Sequence, residues 1–142
     1  MAPIANVTQW DLDLDRAIKE PKDAYFICHS LGFITFLRYL SRNNVLIKGA
    51  IFVSGFAEPI TAFPQFDPYM HELNLDRIKH FLGASFLISS RTDSIIDWQI
   101  SNSLANKLEI PFILLPFGGH FTSGEGIIEM PSVKHIIKAK WL

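Results

Sequence analysis

Cysteine is almost missing from this 142-residue chain: Cys28 is the single example. No intramolecular disulfide is therefore available, and no cysteine-based metal site can be built. A lone thiol suits a reducing compartment, which points to the cytoplasm. Charge is sparse as well, with 19% charged residues and a formal net charge of −1. Without a basic run or basic–aromatic interleaving, the chain offers nothing suited to a nucleic acid. Long hydrophobic runs are lacking too. No stretch approaches the roughly 20 consecutive apolar residues of a membrane span, so no membrane partner is expected. The opening Met1-Ala2-Pro3-Ile4-Ala5-Asn6 has no basic region followed by an apolar one, unlike a secretion signal. Repeats, low-complexity tracts and linkers are absent, which makes residues 1–142 one domain. His71, His80 and His135 have no spacing that suits a metal, and neither metal nor cofactor is expected.

Apolar residues, by contrast, make up 49% of the chain and fall in blocks. Ala24–Cys28, Gly49–Ser54, Ala84–Ser89 and Pro111–Pro116 read as four continuously apolar strands. Helical patterns lie between and around them, over Thr8–Lys19, Leu31–Leu40, Leu73–Phe81, Asp97–Leu108 and Pro131–Lys140. In the first, acids come early (Asp11, Asp13, Asp15) and Lys19 late, an order that complements a helix dipole. The last carries Val133, Ile136, Ile137 and Trp141 on one face, after an opening Pro131. Between Gly55 and Asp67, prolines argue against regular structure and aromatics against a solvated loop. This segment reads as a packed cap whose Phe56, Phe63 and Phe66 would give an apolar lining to a substrate site.

Strands apolar throughout, alternating with helices, mean a parallel sheet covered on both faces. The expected fold is α/β, a three-layer α/β/α sandwich around a mainly parallel sheet of about four strands. Ligands of such sheets bind outside the carboxyl ends of the strands. Three reactive residues fall there: Ser30 after the first strand, Asp93 after the third and His120 after the fourth. Ser30 sits in Cys28-His29-Ser30-Leu31-Gly32, where a strand gives way to a helix within a few residues. Such a turn lifts its middle side chain above the sheet edge, as in the G-x-S-x-G nucleophile elbow, here with Cys28 in place of the first glycine. A serine hydroxyl needs a base, and a histidine base needs a carboxylate to hold its ring. The chain order Ser, Asp, His is the one used by α/β-hydrolases.

Each residue also has a plainer reading. Ser30 would serve as a helix cap, Asp93 as a turn residue and His120 as a satisfied core histidine. One fold explains all three together, which favours the reactive reading. Asp97 is the reserve acid, placed near the following helix. His29 should point opposite to Ser30 and reads as a packing or supporting residue. Cys28 ends a buried strand and reads as core.

With these residues in hand, the chain resembles the small serine hydrolases of the YdeN and retinoblastoma-binding-protein type. The matching words are His29-Ser30-Leu31-Gly32, Val53-Ser54-Gly55-Phe56, Ser89-Ser90-Arg91-Thr92-Asp93-Ser94-Ile95-Ile96 and Gly118-Gly119-His120-Phe121. Members often lack the first glycine of the elbow. The resemblance implies an α/β-hydrolase core without a large lid, a triad of Ser30, Asp93 and His120, and esterase- or amidase-like action on small acyl substrates. It also implies that the family's front strand-helix-strand part is lacking here. The elbow strand would then be a sheet edge, open to a homodimer partner. Of the two usual oxyanion donors, only the Leu31 N–H would be supplied. Two functions follow from this reading: a serine hydrolase, or a non-catalytic interaction protein built on the remnant of one.

Overall fold

The computed structural model describes residues 7–71 and 73–120. Four parallel strands, β1 (Tyr25–His29), β2 (Gly49–Val53), β3 (Phe86–Ser90) and β4 (Phe112–Leu115), pair in the order β1-β2-β3-β4. In the register, Cys28 stands opposite Phe52, Phe52 opposite Leu87 and Leu87 opposite Phe112. Among the described residues four α-helices accompany them: α1 (Val7–Ala17) before β1, and α2 (Leu31–Asn43), α3 (Leu75–Ile78) and α4 (Trp98–Leu108) between the strands.

The main core forms where the sheet meets these helices. Cys28, Ala50, Phe52 and Leu87 pack there against Phe33, Phe36, Leu37 and Leu40 of α2 and Leu104, Ala105 and Leu108 of α4. Helix α2 is apolar over most of its circumference because it lies between the sheet and outer elements. Burying one of its phenylalanines is worth roughly 1.5–3 kcal/mol, so this helix fixes the elbow at its amino end. It stops at Asn44, whose left-handed backbone (φ 49°) lets its N–H reach back to the Leu40 carbonyl. The opposite sheet face holds a smaller cluster of Ile51, Val53 and Ile88 with Phe86, Ile113 and Leu115. Among the described residues that cluster contains strand residues alone. The helix expected over 131–140, which would supply the third layer, lies outside the described residues.

Three local expectations change. The acids of α1 do not complement its dipole, since none stands in the first turn. Asp11 instead accepts from both Nε and Nη2 of Arg38 of α2, the shortest bond from Nη2 at 2.8 Å, and Asp15 takes one from Arg42 at 2.8 Å. The expected helix over residues 73–81 is only a short α3 continued by a 3₁₀ turn, Lys79–Phe81. Asn74 caps it, accepting from the Arg77 N–H, and so delays its start to Leu75. The proline-rich cap is more regular than expected, with a 3₁₀ helix over Pro64–Met70 that contains Pro68.

Strand β1 lies at the edge of the described sheet, and its Ile27 is 59% exposed. Among the described residues no helix is long and apolar enough to cross a membrane.

Candidate active site

The elbow is built by the junction of β1 and α2. The Ser30 N–H donates to the Val53 carbonyl at 2.9 Å, carrying β1–β2 pairing one residue past the strand. The Ser30 carbonyl then accepts from the Phe33 N–H at 3.0 Å, which starts the helix. Between these two bonds the backbone of Ser30 must reverse, at φ 53° and ψ −117°. That region is strained for a residue with a side chain, at a cost on the order of 1–3 kcal/mol. Ser30 occupies the cap position of α2 but makes no side-chain capping bond. Its hydroxyl goes elsewhere.

Ser30 Oγ lies 2.9 Å from His120 Nε2, and His120 Nδ1 lies 2.8 Å from Asp93 Oδ2. An ionised carboxylate only accepts, so Nδ1–H donates to Asp93 and Nε2 is left to accept from the serine hydroxyl. All three predicted residues meet in one hydrogen-bonded line. The His120 side chain is 6% exposed, and that of Asp93 is fully enclosed.

Asp93 follows β3 by three residues, in a loop that folds around its carboxylate. Oδ1 accepts from the Ile95 and Ile96 N–H groups at 2.8 and 2.9 Å, leaving Oδ2 for His120. Burial alone would raise the Asp93 pKa. The bonds from His120, Ile96 and Ile95 outweigh it and hold the carboxyl below its ordinary value of 3.8. Asp97, the reserve acid, is engaged as the cap of α4, accepting from the Gln99 N–H at 2.8 Å. Only Asp93 of the two bonds to His120.

His120 is carried by the loop after β4. Gly118 and Gly119 take φ values of 130° and 54°, which let the chain turn back over the sheet within two residues. The Gly119 N–H donates to Thr92 Oγ1 at 2.9 Å, and that hydroxyl also lies 2.9 Å from Ser90 Oγ. Thr92 therefore ties the histidine loop to the aspartate loop. Sequence reasoning did not single it out; its signal is a hydroxyl residue beside the acid at a strand end.

His29, expected to pack or to support, does more than pack: its ring lies beside that of His120, the partner of Ser30. Its ring nitrogen Nε2 lies 2.6 Å from the His120 carbonyl oxygen, and the two rings are 4.7 Å apart. Cys28 is core: burial pushes its thiol pKa up to about 12, so it stays protonated. The Leu31 N–H, at the first position of α2, has no intrahelical acceptor.

The aromatics of the cap differ in burial. Phe56 is wholly buried in the core and packs on Phe66, whereas Phe63 and Phe66 stack at 5.4 Å and are half-buried. A cavity of about 370 Å³ lies elsewhere, between α1 and α2, lined by Trp10, Asp13, Leu14, Ala17, Gly32 and Thr35. It adjoins the elbow through Gly32, where an added Cβ would meet nothing within 4 Å. None of the three phenylalanines lines it.

This geometry has relatives. The chain is 28% identical over 123 residues to YdeN of Bacillus subtilis (strain 168), a match covering 82% of this chain and 63% of YdeN. It thus spans less than two thirds of that curated relative. The crystal structure of the ydeN gene product superimposes with a TM-score of 0.87 at 24% identity, covering 96% of this chain and 75% of that one. A carboxylesterase structure from the thaumarchaeon Nitrososphaera gargenis matches with a TM-score of 0.67 at 12% identity, over 95% of this chain and 72% of that one. These likenesses show the α/β-hydrolase fold. The family model described as serine hydrolase matches residues 4–139. With nearly its whole length inside that model, the chain belongs to the serine hydrolase family.

Proposed function

We propose that the chain hydrolyses small acyl esters or amides through an acyl-enzyme formed on Ser30. The observation that carries this reading is the unbroken line from Ser30 Oγ through the His120 ring to Asp93 Oδ2. Family membership and the carboxylesterase among its structural neighbours support it.

In the first step Ser30 Oγ attacks the substrate carbonyl carbon while its proton passes to His120 Nε2. Asp93 keeps the Nδ1–H oriented and stabilises the imidazolium. The Leu31 N–H is the candidate donor to the oxyanion. Collapse expels the alcohol or amine, which leaves with the proton from Nε2. Water then gives a proton to Nε2 and attacks the acyl carbon. The bond to Oγ breaks, the acid departs, and Ser30 recovers its proton.

The test is labelling by a fluorophosphonate probe, comparing the wild-type protein with Ser30→Ala and His120→Ala. Labelling lost in both variants is the expected outcome. A folded wild-type protein that does not label would overturn the hydrolase reading. The exposed Ile27 on the β1 edge favours a second reading, in which the chain is a non-catalytic module that pairs with another copy through that strand.

A further inference from the structure

The nucleophile and its base come from opposite sides of the sheet. Ser30 follows β1 and His120 follows β4, the two outer strands of the order β1-β2-β3-β4. Three inter-strand spacings of about 4.8 Å put these strands roughly 14 Å apart. No backbone ladder joins them. The loop after β4 must therefore cross the carboxyl ends of β3 and β2 to bring His120 to Ser30, and its position along that path needs fixing.

Two bonds fix it. Near β3, Thr92 Oγ1 accepts from the Gly119 N–H at 2.9 Å. At β1, His29 Nε2 meets the His120 carbonyl oxygen at 2.6 Å. A carbonyl oxygen only accepts, so His29 carries its proton on Nε2 and donates. The donor is the residue bonded directly to Ser30, on the strand that sets the nucleophile. The acceptor is the backbone of the base itself.

We propose that His29 is the positioning residue of this site: by donating from Nε2 to the His120 carbonyl, it registers the base against the nucleophile across the sheet. This inference rests on the hydrolase reading for its catalytic consequence, but the bond itself can be read without turnover. Its chemical content is a donor at the reach of Nε2, not a ring. A phenylalanine at position 29 keeps the ring and loses the donor. A glutamine places its amide N–H₂ at a similar reach, and an asparagine falls short.

The experiment compares wild type with His29→Phe, His29→Gln and His29→Asn in two measurements. The first is hydrolysis of a p-nitrophenyl acyl ester. In His29→Phe and His29→Asn, kcat should fall about 10- to 100-fold with KM little changed, the usual effect of displacing a reacting group by about 1 Å. His29→Gln should recover to within about 3-fold of wild type. The second is proton NMR of the His120 Nδ1–H held by Asp93. Its downfield resonance should persist in His29→Gln and broaden or vanish in His29→Phe. If His29→Phe matches wild type in both, packing alone explains the residue and the proposal fails. A wild-type protein without esterase activity would count against the hydrolase reading, and the NMR comparison would still decide the role of His29. Should the phenylalanine variant not fold, the contrast between glutamine and asparagine carries the same decision.

Discussion

Asp93 commits one carboxylate oxygen to its own loop and the other to His120, so replacing it acts on two levels. Asp93→Asn preserves the shape, but its amide end can turn a donor toward Nδ1 and favour the wrong tautomer. Under the proposed mechanism the rate should fall about 10⁴-fold, measured as probe-labelling rate or ester hydrolysis. Asp97→Asn makes the control: asparagine caps a helix about as well as aspartate, so both activity and stability should stay near wild type. The lowered pKa of Asp93 also ties stability to pH. A carboxylate more acidic folded than unfolded stabilises the fold above its unfolded pKa, and loses that contribution as pH falls from there through its lower folded pKa. Thermal melts below about pH 4 should therefore drop more steeply for wild type than for Asp93→Asn. Equal slopes would mean that the loop bonds do not favour the charged form. Ser30, Asp93 and His120 were legible in the sequence because each closes an apolar strand, and strand ends are where a parallel sheet gathers its reactive groups. Thr92 was not, since a hydroxyl beside an acid looks like any turn residue until its acceptor role toward Gly119 is seen.

At the scale of elements, helix α1 shows how a helix with no buried residue is still held in place. Asp11 receives a paired contact from Arg38, and both side chains are about 15% exposed or less, at 14% and 15%. Charge-assisted bonds that are this shielded contribute on the order of 1.5–3 kcal/mol. Asp11→Ala should therefore lower the midpoint of denaturant unfolding clearly. Asp13→Ala should leave it almost unchanged, since among the described residues Asp13 makes an exposed bond with Gln9 and no ion pair. Similar losses from both would mean that α1 is held by something other than its ion pairs. The sequence pattern placed this helix within two residues of its observed ends yet misassigned its acids. Periodicity describes one helix at a time and is blind to the arginines of another. The aromatic cap shows the same limit. Composition cannot tell a phenylalanine that closes the core, such as Phe56, from one that faces a ligand.

For the whole molecule, the consequential feature is the β1 edge. A parallel sheet is ordinarily covered on both faces, and an apolar side chain on an exposed edge invites another strand. Ile27, the middle residue of β1, is the most exposed apolar residue of the sheet. If copies pair there, sedimentation velocity should show concentration-dependent association that Ile27→Lys abolishes without loss of helical signal. Identical sedimentation of the two proteins would dismiss self-association through this edge.

The bond between Ser30 and His120 joins residues 90 positions apart, and the strands that carry them stand at opposite ends of the sheet. Contacts of such long sequence separation are the slow ones in folding, because a large loop must close before they give anything back. Under the proposed mechanism, reactivity at Ser30 would thus be acquired late, after all four strands have found their order. A probe for that serine would double as a clock for the completion of folding, silent toward any intermediate in which β4 has not yet joined.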